Sequence, residues 1–304
     1  MKVTALSGGV GGARLLRGLA GLDEVELSAV VNVGDDDIIY GLNVSPDIDT
    51  VIYTLAEREG SQGWGLADDT DEVMEALEKF PLDTWFRIGD VDLATNLFRT
   101  ARLRSGWTLS QVTTAQAAVF GVQTSVLPAS DDPIRTEVHL PDEGWLSFQT
   151  YFVDRMHQTP IDDVRFSGGW AASPAPGVIE AIRSADMVVI GPSNPPLSIW
   201  PILSIDGIAD ALGGAKRVVG VSPLFGGRPL KGPADQVLKG LGLPDGTAGI
   251  LAAYDGLLDE LVVDTSDMAD LAADATTDVE LRALPTRISE PEAAVALAAQ
   301  LVAL

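Results

Sequence analysis

The chain has 304 residues, with 44 acidic side chains against 20 Lys and Arg and a net charge of −24. That balance argues against a nucleic-acid or anionic-membrane surface, since both need basic stripes, and makes the placement of each scarce cation informative. Cysteine is absent and only His139 and His157 supply imidazole, so disulfides, thiolate chemistry and histidine-rich metal sites are excluded and any metal must be held by oxygen.

The first apolar run, residues 2–7, reads as a strand. Four glycines follow within five positions, Gly8-Gly9-Val10-Gly11-Gly12, and then Leu15, Leu16 and Leu19 recur at helical spacing. The glycines interrupt what would otherwise resemble a signal segment, and no later apolar run reaches membrane length, so the sequence reads as cytoplasmic. Strand, glycine turn and helix N-terminus make an anion site in which backbone N–H groups approach a phosphate and Arg14 adds a cation one turn in. The plainer alternative is a strand-to-helix turn of structural purpose. Neither the P-loop nor the dinucleotide fingerprint is matched, because the loop has no lysine and Gly9-Val10-Gly11 lacks the third glycine.

Residues 24–32 alternate and then turn fully apolar, as a buried strand does, and run into Asp35-Asp36-Asp37. Open α/β sheets place ligands at the carboxyl ends of such strands. A second acidic element, Asp47 and Asp49, opens a helix read over residues 51–56, where Asp47 reads as a cap. Asp35, Asp36 and Asp49 are oxygen ligands of the kind Mg²⁺ prefers, against the plainer reading of a loop and a cap.

Trp64, between Gly63 and Gly65, precedes a helix over residues 72–79, and Trp85-Phe86-Arg87 precedes another that starts at Gly89-Asp90. These aromatic and basic groups suit either a planar ring or a core edge. A helix over residues 109–119 leads to a strand, residues 127–140 hold a polar turn before another strand, and residues 144–153 alternate like its hairpin partner, an antiparallel insertion in which His139 is structural. Two more apolar runs, residues 185–190 and 216–222, read as central parallel strands. The first ends in Ser193 and Asn194 held among prolines, and the second in Ser222 and another glycine loop that carries Arg228 and Lys231. A further strand and an alanine-rich helix over residues 290–304 close the chain. The fold class is therefore α/β, a Rossmann-like, mainly parallel sheet with helices on both faces. One domain spans residues 1–304, with an antiparallel and helical subregion, roughly residues 65–165, inserted over the active site.

Seven blocks carry a resemblance to a known family: residues 7–14, Asn32-Val33-Gly34-Asp35-Asp36, residues 45–50, residues 89–95, Ser130-Asp131-Asp132, residues 192–195 and residues 226–235. In order, and over nearly the whole chain, they resemble the 2-phospho-L-lactate transferases of deazaflavin coenzyme F420 biosynthesis, including phosphoenolpyruvate-using members. The resemblance implies transfer of a phospho-three-carbon-acid moiety from a guanosine-diphosphate-activated donor to the deazaflavin alcohol Fo, with Mg²⁺ and release of GMP. It also implies a homodimer. Asp49 matches the aspartate that contacts Fo near the metal, Asp35 the other acidic position proposed for Mg²⁺, and Arg87 a second Fo position, with Trp64 as aromatic neighbour. Gly8, Gly9, Gly11, Gly12, Ser193, Asn194, Ser222, Arg228 and Lys231 would hold the donor, and Arg14, Asp35 and Asp49 would act in catalysis. Val91 and Asn96 stand where the family has arginine and histidine. Two other readings are a regulatory nucleotide-sugar-binding protein of the related gluconeogenesis-factor family, which shares the opening glycine turn, and a Rossmann dehydrogenase. Residues 45–50 and 89–95 speak against the first, and the missing third glycine against the second.

Overall fold

The computed structural model describes residues 1–272 and 278–304, and the side chains of all but 269–277. Strand β1 (Lys2–Ser7) buries Val3, Ala5 and Leu6, and helix α1 (Gly9–Ala20) follows at once with Leu15, Leu16 and Leu19 turned inward. After β2 (Glu26–Val31) comes a small hairpin, β3 (Asp37–Ile39) with β4 (Leu42–Val44), and then α2 (Pro46–Leu55). This helix starts earlier than expected, because Pro46 at its first position has its φ preset for a helix and lacks only an N–H that would go unpaired. Helices α3 (Glu72–Leu77), α4 (Asp90–Arg104) and α5 (Leu109–Val119) lead to β5 (Ser125–Pro128). A three-stranded antiparallel sheet, β6 (Arg135–Leu140), β7 (Gly144–Ser147) and β8 (Asp163–Ser167), precedes α6 (Val178–Ser184) and β9 (Met187–Ile190). The remaining strands are β10 (Val218–Val221), the two-residue pair β11 (Leu224–Phe225) and β12 (Arg228–Pro229), β13 (Glu260–Asp264) and β14 (Glu280–Leu284), and the helix Pro291–Val302 ends the fold.

Seven strands form one sheet in the order β14-β13-β10-β9-β1-β2-β5, and every neighbouring pair is parallel. Strands β9, β10 and β13 are buried along their whole length, which is why they do not alternate: β9 and β10 are runs of apolar residues and glycine, and β13 has an apolar centre between buried Glu260 and Asp264. Helix α1 packs against α2 and the helix Pro291–Val302, and α6 against the short helix Ile208–Gly213. No helix among the described residues is long and apolar enough to cross a membrane.

Other elements also differ from the sequence reading. The segment at roughly 65–165 contains β5, a strand of the main sheet, so the parts outside the sheet come as two pieces, one before β5 and one after it. The hairpin partner stops at Ser147, and Thr150–Asp154 forms a wide π-type turn. Strand β14, not expected, adds the sheet's far edge.

The chain lays β1, β2 and β5 outward in one direction, then returns to place β9 on the other side of β1 and continues to β14. Order therefore reverses between β1 and β9. At such a reversal the loops leaving the two strands diverge to opposite faces, and a crevice opens at their carboxyl ends.

Candidate active site

A cleft of about 890 Å³ lies at that reversal. Its walls come from the segments after the strand tips: Gly8, Gly9, Gly11 and Arg14 after β1, Asp35 after β2, Ser193 and Asn194 after β9, Lys231 beyond β12, and Thr286 after β14. The volume falls within the range of small-molecule sites, about 300–1,000 Å³.

The glycine turn is held from two sides. Ser193 Oγ donates to the Gly8 carbonyl at 2.6 Å and accepts the Gly8 N–H at 3.3 Å, stapling the tip of β9 to that of β1. Asp47 Oδ1 accepts the Gly9 N–H at 2.6 Å, reaching it from the first turn of α2. Asp47 therefore does not cap its own helix, as its position suggested; its carboxylate binds the glycine turn and the Asn32 amide, at 2.9 Å. A Cβ at Gly11 would meet the Pro192 carbonyl and one at Gly12 the Ser7 and Ser193 hydroxyls, so these two glycines permit close packing of strand tips. Gly9 differs, with a φ of +66° and open space where a Cβ would stand. Arg14 lines the cleft with its Nε unpaired, and it forms no ion pair among the described residues.

Beside the turn sits a patch of buried carboxylates. Asp35 accepts the Asp47 N–H at 3.0 Å, and burial, with Asp47 and Asp36 close by, pushes its carboxyl well above the usual range. Asp49 is 6% exposed and pairs with Arg99, which has no exposed surface at all. Burial lifts Asp49 to about 7 despite Arg99, and Asp92 adds to the rise. Asp47 is pushed by burial to about 6. Arg99 in turn donates to Asn96 Oδ1 at 2.7 Å and to the Asn43 carbonyl at 3.2 Å. Asn96 thus orients the arginine that holds Asp49. Val91 is exposed on α4.

Of the three carboxylates expected to hold metal, Asp35 and Asp49 line the cleft, while Asp36 accepts the Ser45 hydroxyl at 2.8 Å and borders a separate pocket of about 190 Å³. Burial pushes Asp36 to about 7, against Ser45, Arg99 and Arg135, which lower it. Among the described residues no group of three or more such ligands is gathered at one point. Two carboxylates facing a cleft fit a cation like Mg²⁺, which keeps several waters and takes its other ligands from a substrate's phosphates. Asp35 and Asp47 are close neighbours, and a cation would relieve the repulsion between them when both are ionised.

The other expected residues divide. Trp64 and Lys231 both line the cleft, with Lys231 Nζ 5.3 Å from the Trp64 ring centroid and bonded to the Gln62 carbonyl at 3.1 Å. Arg87 also lines it but is held by Glu78 at 2.8 Å and Asp71 at 3.4 Å. Asn194 faces the cleft with a buried Oδ1 that has no partner among the described residues, whereas Ser193 is spent on Gly8. Ser222 is buried and accepts the Leu224 N–H at 3.2 Å, and Arg228 is exposed on the β11–β12 pair; neither lines the cleft. The second glycine loop gives its Gly226 and Gly227 N–H groups to the Asp267 carboxylate. Sequence reasoning missed Arg99, Phe148, Phe152 and His157; the i, i+4 spacing of the two phenylalanines was the available signal.

Fold and cleft define an α/β protein with a small-molecule-sized cleft at the carboxyl ends of a parallel sheet. The chain belongs to the family described as 2-phospho-L-lactate transferase CofD, whose model matches residues 3–295. It is similar to the phosphoenolpyruvate transferase of Kitasatospora aureofaciens, 40% identical over 314 residues that cover 100% of this chain and 98% of that one. The protein of that name from Mycolicibacterium smegmatis is 38% identical, covering 98% of this chain and 96% of its own. Among solved structures, a UPF0052 family protein from Bacillus halodurans superposes with a TM-score of 0.68 at 20% identity, covering 99% of this chain and 98% of its own, a likeness of fold alone.

Proposed function

We propose that the protein transfers a phospho-three-carbon-acid group, phosphoenolpyruvyl or 2-phospho-L-lactyl, from a guanosine-diphosphate-activated donor to the deazaflavin alcohol Fo. The observation that carries this reading is the full-length similarity to phosphoenolpyruvate transferases, joined to a cleft that presents Arg14, Asp35 and Asp49 together. In the reaction an oxygen–phosphorus bond forms from the Fo hydroxyl to the phosphorus that bears the acid. The anhydride bond to GMP breaks, and the hydroxyl proton leaves to a base.

Asp35 and Asp49 would hold Mg²⁺, which when bound neutralises the donor diphosphate and polarises the attacking alcohol. Arg14, in the second turn of α1 and without an ion pair among the described residues, supports the leaving phosphate together with the helix N-terminus. Asn194 offers an unpartnered acceptor to the ribose or base. Asp49 has one oxygen engaged by Arg99, which fixes its carboxylate plane and leaves the other oxygen for cation or proton. Transfer of this kind depends mostly on positioning and charge neutralisation, and the cleft supplies both.

The test is turnover: purified protein, Fo, Mg²⁺ and each activated acid made in situ, following GMP and the mass of the deazaflavin product, with Asp49→Asn in parallel. One donor gives product, and Asp49→Asn lowers kcat at least about a hundredfold, the scale of losing one aligned electrostatic group. Binding of guanosine nucleotide without any product, by contrast, returns the chain to the regulatory binding-protein reading.

A further inference from the structure

Three rings that the proposed chemistry leaves unused form one wall of the cleft. Phe148 stacks on Phe152 at 5.2 Å and 19°, and Phe152 on the His157 imidazole at 4.6 Å and 23°. All three line the cleft and none is fully buried. The other aromatic pairs among the described residues are tilted or edge-on: Tyr53 with Phe120 at 59°, Trp85 with Phe86 at 82°, His139 with Trp145 at 58°. Both arrangements are favourable for a pair in isolation. Only the parallel run, however, offers flat faces to which one more planar ring can be added.

The backbone beneath the stack is specialised to hold it. Thr150–Asp154 forms the π-type turn, a feature frequent at functional sites, and it sets Phe148 and Phe152 side by side. Met156 and His157 take φ values of 49° and 43°, left-handed values that strain residues carrying a Cβ. Gln149, between the stack and the carboxylates, donates to the Asp35 carbonyl at 2.7 Å and so ties this wall to the loop of Asp35. His157 Nδ1 lies 3.3 Å from the Phe152 carbonyl, and its Nε2 has no partner among the described residues. Other rings on the cleft are engaged too: Trp64 faces Lys231, Trp85 and Phe86 pack on Ile39, Val44 and Ile88, and Phe148 and Phe152 themselves rest on Val138, Leu140 and Tyr151, so the parallel geometry is what sets the stack apart.

We infer that the Phe148, Phe152 and His157 stack seats a planar fused heteroaromatic ring, that of a purine nucleotide or of a tricyclic flavin-like molecule, on the Asp35 side of the cleft. The inference deepens the transferase reading and rests on it for the choice of ligands. A ring seated there is fixed by its face, while His157 Nε2 is available to its edge.

The test measures Kd for guanosine diphosphate, for Fo, and for inorganic pyrophosphate as a ring-free control, on the full chain and three variants. Phe152→Leu keeps apolar bulk and removes the ring, Phe152→Tyr keeps the ring, and His157→Asn removes the ring with a residue that tolerates left-handed φ. Thermal melts establish that each variant is folded. Phe152→Leu and His157→Asn should raise Kd for one ring-bearing ligand about tenfold, a base–aromatic stack being worth roughly fivefold or more, while Phe152→Tyr stays within about twofold. Pyrophosphate should bind equally to all four. A loss confined to guanosine diphosphate assigns the seat to guanine, and one confined to Fo assigns it to the deazaflavin. Unchanged Kd for both ring ligands in folded Phe152→Leu, or equal weakening of pyrophosphate, overturns the inference. Turnover is read separately: ring-dependent binding without product sinks the transferase reading and leaves the seat, and full turnover in Phe152→Leu with unchanged Kd does the reverse.

Discussion

Arg99 is enclosed by Asp49, Asn96 Oδ1 and the Asn43 carbonyl, and its Nε has no partner among the described residues. A buried cation so placed is held by its carboxylates as firmly as it holds them, and removing one partner of a buried pair typically costs about 3–5 kcal/mol. Arg99→Met is therefore expected to lose about 3 kcal/mol or more in urea denaturation at pH 8. The loss should shrink at pH 5, where Asp36 and Asp49, already lifted to about 7, are protonated in the native state and need no counter-charge. An equal loss at both pH values would show that Arg99 acts by packing alone. None of this was legible in the sequence, because Arg99 and Asp49 lie 50 positions apart and an arginine inside a helix reads as a solvated one. Asp35 and Asp49 were legible, since each stands at the boundary of a recognisable strand or helix. Asp47 was misread for a related reason. Its partner, Gly9, is 38 positions away, and a carboxylate near a helix start is by default a cap.

Capping at the scale of elements shows the same split between local and distant signals. Helix α5 announces itself through Thr108 and Gln111, a capping box three residues apart, and its limits were read correctly from the sequence. Helix α4 also begins where Gly89-Asp90 suggested, yet its cap comes from outside: Asp69 accepts the Val91 N–H at 2.8 Å and the Asp92 N–H at 3.0 Å. Asp90 reciprocates, accepting the Glu72 and Val73 N–H groups of α3, each at 3.0 Å. Asp69→Ala should lose about 1 kcal/mol, the usual worth of such a cap. It should also speed amide exchange at Val91 and Asp92 more than at the C-terminal end of α4. Uniform exchange along the helix would count against the cap. The turn after β7 was misread because Phe148, Tyr151 and Phe152 fit a strand's alternation about as well as a helix's period. Only the buried Tyr151 and the Gln149 bond to Asp35 decide between them.

At the scale of the molecule, the continuous apolar runs made the parallel sheet readable, but not which strand tips meet. Gly8 and Ser193, 185 positions apart, join through a strand order that no local pattern encodes. The loops around that junction bury Asp35, Asp36, Asp47 and Asp49 on a chain already at −24, and burial, more than mutual repulsion, raises these carboxyls so that they hold protons. In the unfolded chain these carboxyls titrate near 4. In the native state burial moves Asp47 to about 6, and Asp36 and Asp49 to about 7. Between those values the native protein binds more protons than the unfolded one, so this contribution to stability is fully present below about pH 4 and lost as pH rises through 7. With chelator present, the unfolding temperature should therefore fall between pH 5.5 and pH 8. Mg²⁺, on the proposal that Asp35 and Asp49 hold it, would replace the lost protons as counter-charge and, by binding only the native state, should restore part of the fall at pH 8 while changing little at pH 5.5. Scanning calorimetry at both pH values, with and without Mg²⁺, reads both effects. A melting temperature that rises towards pH 8 in chelator refutes the protonated cluster, whereas a fall that Mg²⁺ leaves untouched refutes the cation site and spares the cluster.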